Sequence, residues 1–246
     1  MSLSHDDIPR NGWTAVPVDA SVLLKGKAYL HEPKPVRVED IKFPSDDAVV
    51  SKVYAYAKER LSRQTFNHSM RVFYYGMAIV NQQFPEHAST FSPSTYALSC
   101  LLHDIGATDE NIAATHMSFE FYGGIIALNL LTDLGAPRDQ AEAVCETIIR
   151  HQDLGTVGNI TFLGQVIQLA TIYDNVTDHP DIPDYKDLLA ERTRDDVNAK
   201  FPREGWLGCF ASIIRKETGL KPWCHTTHIH DFDKLVEGNK VMRKYE

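Results

Sequence analysis

Four polar side chains stand inside otherwise apolar stretches of the sequence, and their types could hold a metal ion. His68 lies in "FNHSMRVFYY", the adjacent pair His103 and Asp104 lies in "LLHDIG", and Asp174 lies in "LATIYDN". Burying a histidine or an aspartate costs free energy unless the group is paired or bound to a metal. Two neutral imidazoles and two carboxylates form a mixed nitrogen and oxygen set that suits a divalent cation. We therefore predict a metal centre built from these four residues.

Each of these residues taken alone has a simpler interpretation. A single histidine on an apolar helix is more often a hydrogen-bonded core residue than a ligand, and Asp174 could be a buried cap or an ion-pair partner. The His-Asp dipeptide also occurs at His5-Asp6 and His230-Asp231, where polar surroundings predict solvent exposure. The metal interpretation is favoured because the four residues occur in order on helices that are predicted to be buried.

The element that carries His103 and Asp104 has clear helix signals. The segment "SPSTYALSCLLHDIG" starts with Ser92 as a predicted N-cap and Pro93 at the first helical position, and Gly106 is the predicted stop. Adjacent residues on a helix point about 100° apart, so His103 and Asp104 can straddle one ion. With His68 and Asp174 on two other helices, the ligands would meet in the core of a helical bundle.

Apolar residues at helical spacing continue through the rest of the chain and predict about eight or nine helices. We predict an all-α fold with a helical-bundle domain over residues 46–246 and an irregular N-terminal arm over residues 1–45. The arm contains prolines at positions 9, 17, 33, 35 and 44 and has little helical period. Its apolar residues are too many for a free tail, so we expect it to pack on the body or on a second subunit.

Composition excludes several classes of function. The net charge of −8 disfavours a nucleic-acid partner. No apolar run reaches the roughly 18 residues of a membrane span, and the N-terminus lacks the features of a secretory signal. The four cysteines contain no C-x-x-C pair, which favours reduced thiols in a cytoplasmic protein, with the nucleus as an alternative.

The ordered set His, His-Asp, Asp resembles the signature of the HD-domain metal-dependent phosphohydrolases. The longer segments "CLLHDIGATDENIAATHMSFEFYGG", "IIRHQDLGTVGNITFLGQVIQLATIYDN" and "WLGCFASIIRKETGLKPWCHTTH" are similar to the fungal cyanamide hydratases. These enzymes have the HD fold and add water to cyanamide to give urea. The match covers residues 45–230, and "KPWCHTTH" is not part of the general HD pattern, so it supports the narrower family.

The resemblance implies a complete site. It assigns the metal ligands to His68, His103, Asp104 and Asp174, the metal to zinc, and positions beside the metal to His151 and Thr171. An N/O ligand set also accepts iron, manganese or cobalt. The implied reaction is cyanamide detoxification, in which metal-bound hydroxide attacks the nitrile carbon.

In that reaction His151 would protonate the nitrogen and Asp104 could receive the water proton. We expect Thr171 and His151, with Asn67, to contact the substrate. The substrate is small and neutral, so we expect a small, closed pocket.

Alternatives stay open for several of these residues. Thr171 could instead bond to its own helix, and His151 could interact only with a helix C-terminus. Glu120 fits a structural contact at a helix N-terminus better than a catalytic role, and His116 could support a second metal. Arg71 could bind an anion, although pairing with a carboxylate is the better interpretation.

Three functions are therefore compared. The first is the zinc-dependent hydration of cyanamide. The second is an HD phosphohydrolase acting on a nucleotide, which predicts cationic groups around the metal, including Arg71 and Arg150, and a wider mouth. The third is a non-catalytic HD module for regulation or assembly, which predicts lost ligands. We expect a homo-oligomer, because the apolar arm could bind another subunit.

Overall fold

The computed structural model describes residues 7–246, so His5 and Asp6 lie outside the described residues. The described chain is an all-α bundle, as the sequence predicts, with one small sheet. The helices in chain order are α1 (Asp7–Arg10), α2 (Ala20–Leu23), α3 (Ala48–Arg60), α4 (Arg63–Gln83), α5 (Pro85–Ala88), α6 (Pro93–Leu102), α7 (Asp109–Ala114), α8 (Phe119–Asp133), α9 (Arg138–Arg150), α10 (Phe162–Asn175), α11 (Glu191–Lys200), α12 (Trp206–Leu220) and α13 (Phe232–Glu237). The strands are β1 (Ala15–Pro17) and β2 (Asn159–Thr161).

Side-chain caps explain where the longer helices begin. Ser92 accepts a hydrogen bond from the backbone of Thr95 and starts α6, and Ser62 and Thr161 start α4 and α10 in the same way. Such a cap satisfies a backbone donor that has no partner within its own helix. The helices that carry the predicted ligands therefore begin at positions set by their own sequences.

Helix α4 lies at the centre of the bundle. It packs against α6 and α10, and α9 packs against both of those helices. Nearly every residue of α4 from Thr65 to Val80 is buried, which agrees with the small amount of polar surface in its sequence. A polar side chain on α4 must therefore find its partners inside the protein.

The arm packs on the bundle at several points. Strand β1 pairs antiparallel with β2, with Val16 opposite Ile160, and this pairing holds the arm beside the start of α10. Val16, Val18, Leu24 and Ile41 are buried in the same apolar core as the bundle helices. Strands of three residues are too short to show a periodicity of two in the sequence.

None of the described helices has the length and hydropathy that a membrane crossing requires.

Gly106 is needed for close packing rather than as the end of a helix. Helix α6 stops at Leu102, and Gly106 lies in a 3-10 turn over Ile105–Ala107 without the left-handed backbone of a glycine C-cap. A Cβ atom at Gly106 would lie 2.0 Å from the carbonyl oxygen of Phe119 at the start of α8. Gly106 therefore does not end the helix, although the sequence predicted that it would. It allows the turn after Asp104 to contact α8 closely.

We expect Gly106→Ala to lower the free energy of unfolding by about 1–3 kcal/mol, because backbone atoms must move to admit the methyl group. Thermal and urea unfolding would measure the loss. Gly208→Ala is the control, since Gly208 is an exposed helical residue with nothing within 4 Å of the added Cβ. Equal stabilities for the two variants would contradict the packing role.

Candidate functional site

The helices bring together the predicted ligands from separate parts of the chain. His68 lies in the first half of α4, and His103 and Asp104 directly follow the last residue of α6. One nitrogen from each of these histidines and one oxygen of Asp104 lie within 4.8 Å of one another, and all three residues are buried. The pair that directly follows α6 therefore faces the first half of α4, where His68 lies.

Both histidines direct Nε2 to the same point, because Nδ1 of each has another acceptor. His68 donates from Nδ1 to Asp174 Oδ2 at 2.6 Å, and His103 donates from Nδ1 to the carbonyl of Cys100 at 2.8 Å. A neutral imidazole that donates from Nδ1 keeps a lone pair on Nε2. The two Nε2 atoms are 3.1 Å apart. Two lone pairs facing each other repel unless a positive charge lies between them.

Asp104 completes a triangle of possible ligand atoms. Its Oδ2 atom is 3.2 Å from His103 Nε2 and 3.6 Å from His68 Nε2. This oxygen is buried and has no hydrogen-bond partner among the described residues. A buried oxygen without a partner beside two imidazole lone pairs fits a divalent cation, which binds nitrogen and carboxylate oxygen together.

The ionisation of these groups is compatible with metal binding. Burial lowers the pKa of His68 to about 4, so its Nε2 atom is free of a proton near neutral pH. Burial opposes a charge on Asp104, but the neighbouring His103 holds the pKa of Asp104 below its ordinary value. Burial likewise opposes a charge on His103, but Asp104 outweighs it and raises the pKa of His103. A cation bound at His103 Nε2 would replace the proton that a charged His103 carries there.

Asp174 lies behind His68 rather than within the triangle. Its carboxylate accepts from His68 Nδ1, on the ring edge opposite Nε2, and from the buried guanidinium groups of Arg71 and Arg203. Burial works to raise the pKa of Asp174, but Arg203 and Arg71 hold it well below the ordinary value. The structure thus brings together three of the four predicted ligands and gives Asp174 the position of a group that orients His68.

Arg71 has the role that the sequence favoured, because it pairs with the carboxylate of Asp174.

One face of the His68 imidazole is covered by Trp206, whose ring stacks on it at 4.4 Å between centroids. The Trp206 Nε1–H donates to Asn175 Oδ1 at 2.8 Å, which fixes the indole. His68 is therefore held by hydrogen bonding at one nitrogen and by packing on its ring face.

A cavity of about 430 Å³ opens above the triangle. His103 and Asp104 are at its polar end, together with His151 from the end of α9 and with Thr171 and Asn175 from α10. Its other walls are mostly apolar and include Leu154, Ile172, Val176, Phe210, Ile229 and Phe232. Such a volume exceeds what a molecule as small as cyanamide needs, so the small pocket expected from the sequence is not observed.

His151 points a proton acceptor toward this cavity. Its Nδ1–H donates to the carbonyl of Ile148 at 2.7 Å, and its ring lies 5.3 Å from that of His103 between centroids. Burial, and then the proximity of His103, lowers the pKa of His151. A neutral His151 with its proton on Nδ1 has only a lone pair at Nε2, so it can accept a proton there before it donates one.

Thr171 and Asn67, the other two residues expected to contact substrate, have different surroundings. Thr171 lines the cavity, as a substrate-contacting residue would. Its hydroxyl also donates to the carbonyl of Gln168 in its own helix at 3.1 Å, as the alternative interpretation predicts. Asn67 does not line the cavity, because its amide donates to the carbonyl of Pro202 at 2.8 Å. Asn175 lines it instead and was missed, although it lies one helical turn after Thr171 and so shares its helix face.

Neither arginine named by the phosphohydrolase hypothesis lines the described cavity. Arg71 is bound to Asp174, and Arg150 is bound to Asp153 at 2.6 Å. No lysine is present among the lining residues of this cavity in the described chain. Arg71 and Arg150 are therefore paired with carboxylates and do not offer a cationic group to a phosphate in this cavity.

The segment "KPWCHTTH" is fastened to the start of α8. Lys221 and Trp223 donate to the carbonyls of Met117 and His116, and His225 Nδ1 donates to Glu120 Oε1 at 2.8 Å. His228, which ends this segment, and the residues that follow it to Leu235 form one side of the cavity. Glu120 thus makes a structural contact, but with a side chain rather than with its own helix terminus. His116 is exposed and takes no part in the described ligand group.

The contact between Glu120 and His225 predicts a pH-dependent stability. The hydrogen bond to Glu120 raises the pKa of His225. A raised pKa in the folded state adds stability that is complete below the unfolded value, near 6.5, and is lost as the pH rises through the folded pKa. We therefore expect the Tm difference between the unmodified protein and Glu120→Gln to be larger at about pH 6 than at about pH 9.

Thermal unfolding at the two pH values measures this difference. His230→Gln is the control, because the ion pair of His230 with Asp231 is solvent-exposed and should contribute little at either pH. A Tm difference for Glu120→Gln that grows toward alkaline pH would show that His225 does not carry the effect.

The chain is similar to proteins of known activity over most of its length. Two curated proteins of Saccharomyces cerevisiae, named cyanamide hydratase DDI2 and cyanamide hydratase DDI3, are each 40% identical to it over 231 residues. The aligned region covers 93% of this chain and 93% of each relative. No protein-family model matches the chain.

Proposed function

This chain belongs to the cyanamide hydratase family, and we propose that it adds water to the nitrile of cyanamide to give urea. The observation that carries the chemistry is the buried triangle of His68 Nε2, His103 Nε2 and Asp104 Oδ2 at the polar end of a cavity. The reaction is a hydration of a carbon–nitrogen triple bond, and the reverse reaction places the enzyme among the hydro-lyases.

We propose zinc as the metal, with iron, manganese or cobalt as alternatives that the same ligand set accepts. His68, His103 and Asp104 would hold it, with Asp174 orienting His68 through Nδ1. Direct ligation of the metal by Asp174 stays a prediction. When bound, zinc lowers the pKa of a coordinated water and draws electron density from a nitrile nitrogen.

The cavity residues bind and orient the substrate. The amide nitrogen of Asn175 can donate to the nitrile nitrogen, and the hydroxyl of Thr171 can accept from the amino group of cyanamide. The apolar walls exclude bulk water, which strengthens these contacts. The two polar groups lie one turn apart on the same helix and can therefore hold a short linear molecule at both ends.

His151 moves the proton. Its Nε2 atom accepts a proton from water as the water oxygen bonds to the nitrile carbon, and the resulting imidazolium then donates this proton to the nitrile nitrogen. The product is isourea, which tautomerises to urea. Asp104 is a poor candidate for the same role, because His103 holds its pKa below the ordinary range of an aspartate.

Urea formation from cyanamide tests the proposal. Purified protein is incubated with cyanamide before chelation, after chelation, and after zinc is restored, with metal content measured at each stage. We expect urea in the first and third samples and little in the second. The absence of urea from zinc-loaded protein would exclude the proposed activity, and release of phosphate from a nucleoside monophosphate would favour the phosphohydrolase.

A further inference from the structure

Two buried arginines converge on Asp174. Arg203 donates from Nη1 to Asp174 Oδ1 at 2.6 Å and from Nη2 to the backbone carbonyl of Asp174 at 3.1 Å. Arg71 donates from Nε to Oδ1 and from Nη2 to Oδ2, both at 2.9 Å. Neither arginine side chain is accessible to solvent. One carboxylate between two guanidinium groups leaves a positive charge that burial makes unfavourable.

Glu246 supplies the second negative charge. Its Oε1 atom accepts from Arg203 Nε at 2.6 Å, and its Oε2 atom accepts from the backbone of Leu207 at 3.1 Å, in the first turn of α12. The two carboxylates and the two guanidinium groups therefore sum to zero charge. Arg203 is shared between Glu246 on one side and Asp174 on the other.

This balance has a consequence for His68. Asp174 must accept from His68 Nδ1 while it also accepts from both arginines. If Glu246 lost its charge, Arg203 would depend on Asp174 alone and would draw the carboxylate toward itself. The hydrogen bond to His68 Nδ1 would weaken, and both the ring orientation and the basicity of Nε2 depend on that bond.

We infer that Glu246 is a positioning residue of the metal centre, acting through Arg203 and Asp174 on His68. This inference rests on the proposed function, since it concerns the residues that would hold its metal. The site lies at the end of a continuous chain of charged hydrogen bonds that begins at Glu246. Groups behind a metal ligand commonly change metal affinity by about 10–100-fold when they are replaced.

Metal binding by Glu246→Gln tests the inference. The dissociation constant of zinc is measured by competition with a chromophoric chelator, and the visible spectrum of the cobalt-loaded protein reports the ligand geometry. We expect zinc affinity to fall about tenfold and the cobalt spectrum to change. Glu246→Asp keeps the charge and should restore both properties toward those of the unmodified protein.

Glu191→Gln is the matched control, because Glu191 also holds the 243–246 segment, through Lys244, but does not touch Arg203. We expect its zinc affinity to be unchanged. Unchanged affinity and spectrum in Glu246→Gln, with only a lower Tm, would overturn the inference and leave Glu246 a structural residue. An unmodified protein that binds no zinc or cobalt would overturn the metal centre and this inference with it.

Discussion

Replacement of His103 by alanine is expected to reduce urea formation by at least about a thousandfold, which corresponds to about 4 kcal/mol of activation free energy. The substitution removes one of the three atoms that converge at the polar end of the cavity. One imidazole and one carboxylate would remain, too few to hold zinc in a closed geometry. Asp104 would also lose the neighbour that favours its charged form. Both the zinc content and the kcat of the variant should therefore fall.

His116→Ala is the matched control for this change, since His116 is an exposed histidine that is not part of the described ligand group. It should keep full zinc content and full activity. Circular dichroism should show that His103→Ala keeps its helices, because the substitution leaves the apolar core of the bundle unchanged. More than a tenth of normal activity in zinc-loaded His103→Ala would be incompatible with the proposed centre.

Replacement of His151 by glutamine is expected to lower kcat by about 10²–10⁴-fold with zinc content unchanged. The glutamine amide can still offer an acceptor near the cavity, but it cannot take up the proton that water must lose. Substrate contacts are kept in part, so KM should change less than kcat. Steady-state kinetics on samples of equal zinc content would separate the two parameters.

The comparison for His151→Gln is His179→Gln, which changes another buried histidine that belongs neither to the described ligand group nor to the lining of the cavity. That variant should keep a normal kcat. If His151→Gln changed KM alone, His151 would be a substrate-binding residue and a different group would transfer the proton. Loss of zinc from His151→Gln would instead assign it to the support of the metal.

The grouping of His68, His103 and Asp104 could be predicted because their types conflict with their surroundings. His68 lies in a helix that is otherwise suited to a dry core, and the pair His103 and Asp104 directly follows another buried helix. The contacts of Asp174 with Arg71 and Arg203 could not be predicted from spacing alone. Arg203, which binds the Asp174 carboxylate, lies in the loop before α12. From the sequence of one helix, a metal ligand cannot be distinguished from a residue that hydrogen-bonds to a ligand.

The cavity was harder to predict than the centre. Its size depends on how the end of "KPWCHTTH" and the residues after it pack, and His230 and Asp231 in this part of the chain were expected to be exposed to solvent. Their docking is set by contacts far apart in sequence, such as that between His225 and Glu120. The role of Gly106 was also misassigned, because a glycine required by a neighbouring backbone resembles a glycine that ends a helix.

The apolar walls of the cavity affect the substrate and the product differently. Urea carries twice as many N–H donors as cyanamide and has a more strongly accepting oxygen. Polar groups that leave water without gaining partners lose free energy, and Phe210, Ile172 and Val176 offer no partners. We therefore expect the cavity to bind cyanamide more tightly than the more polar urea. We expect product inhibition to be weak, so that turnover continues while urea accumulates. This effect would come from wall residues that take no part in the chemistry.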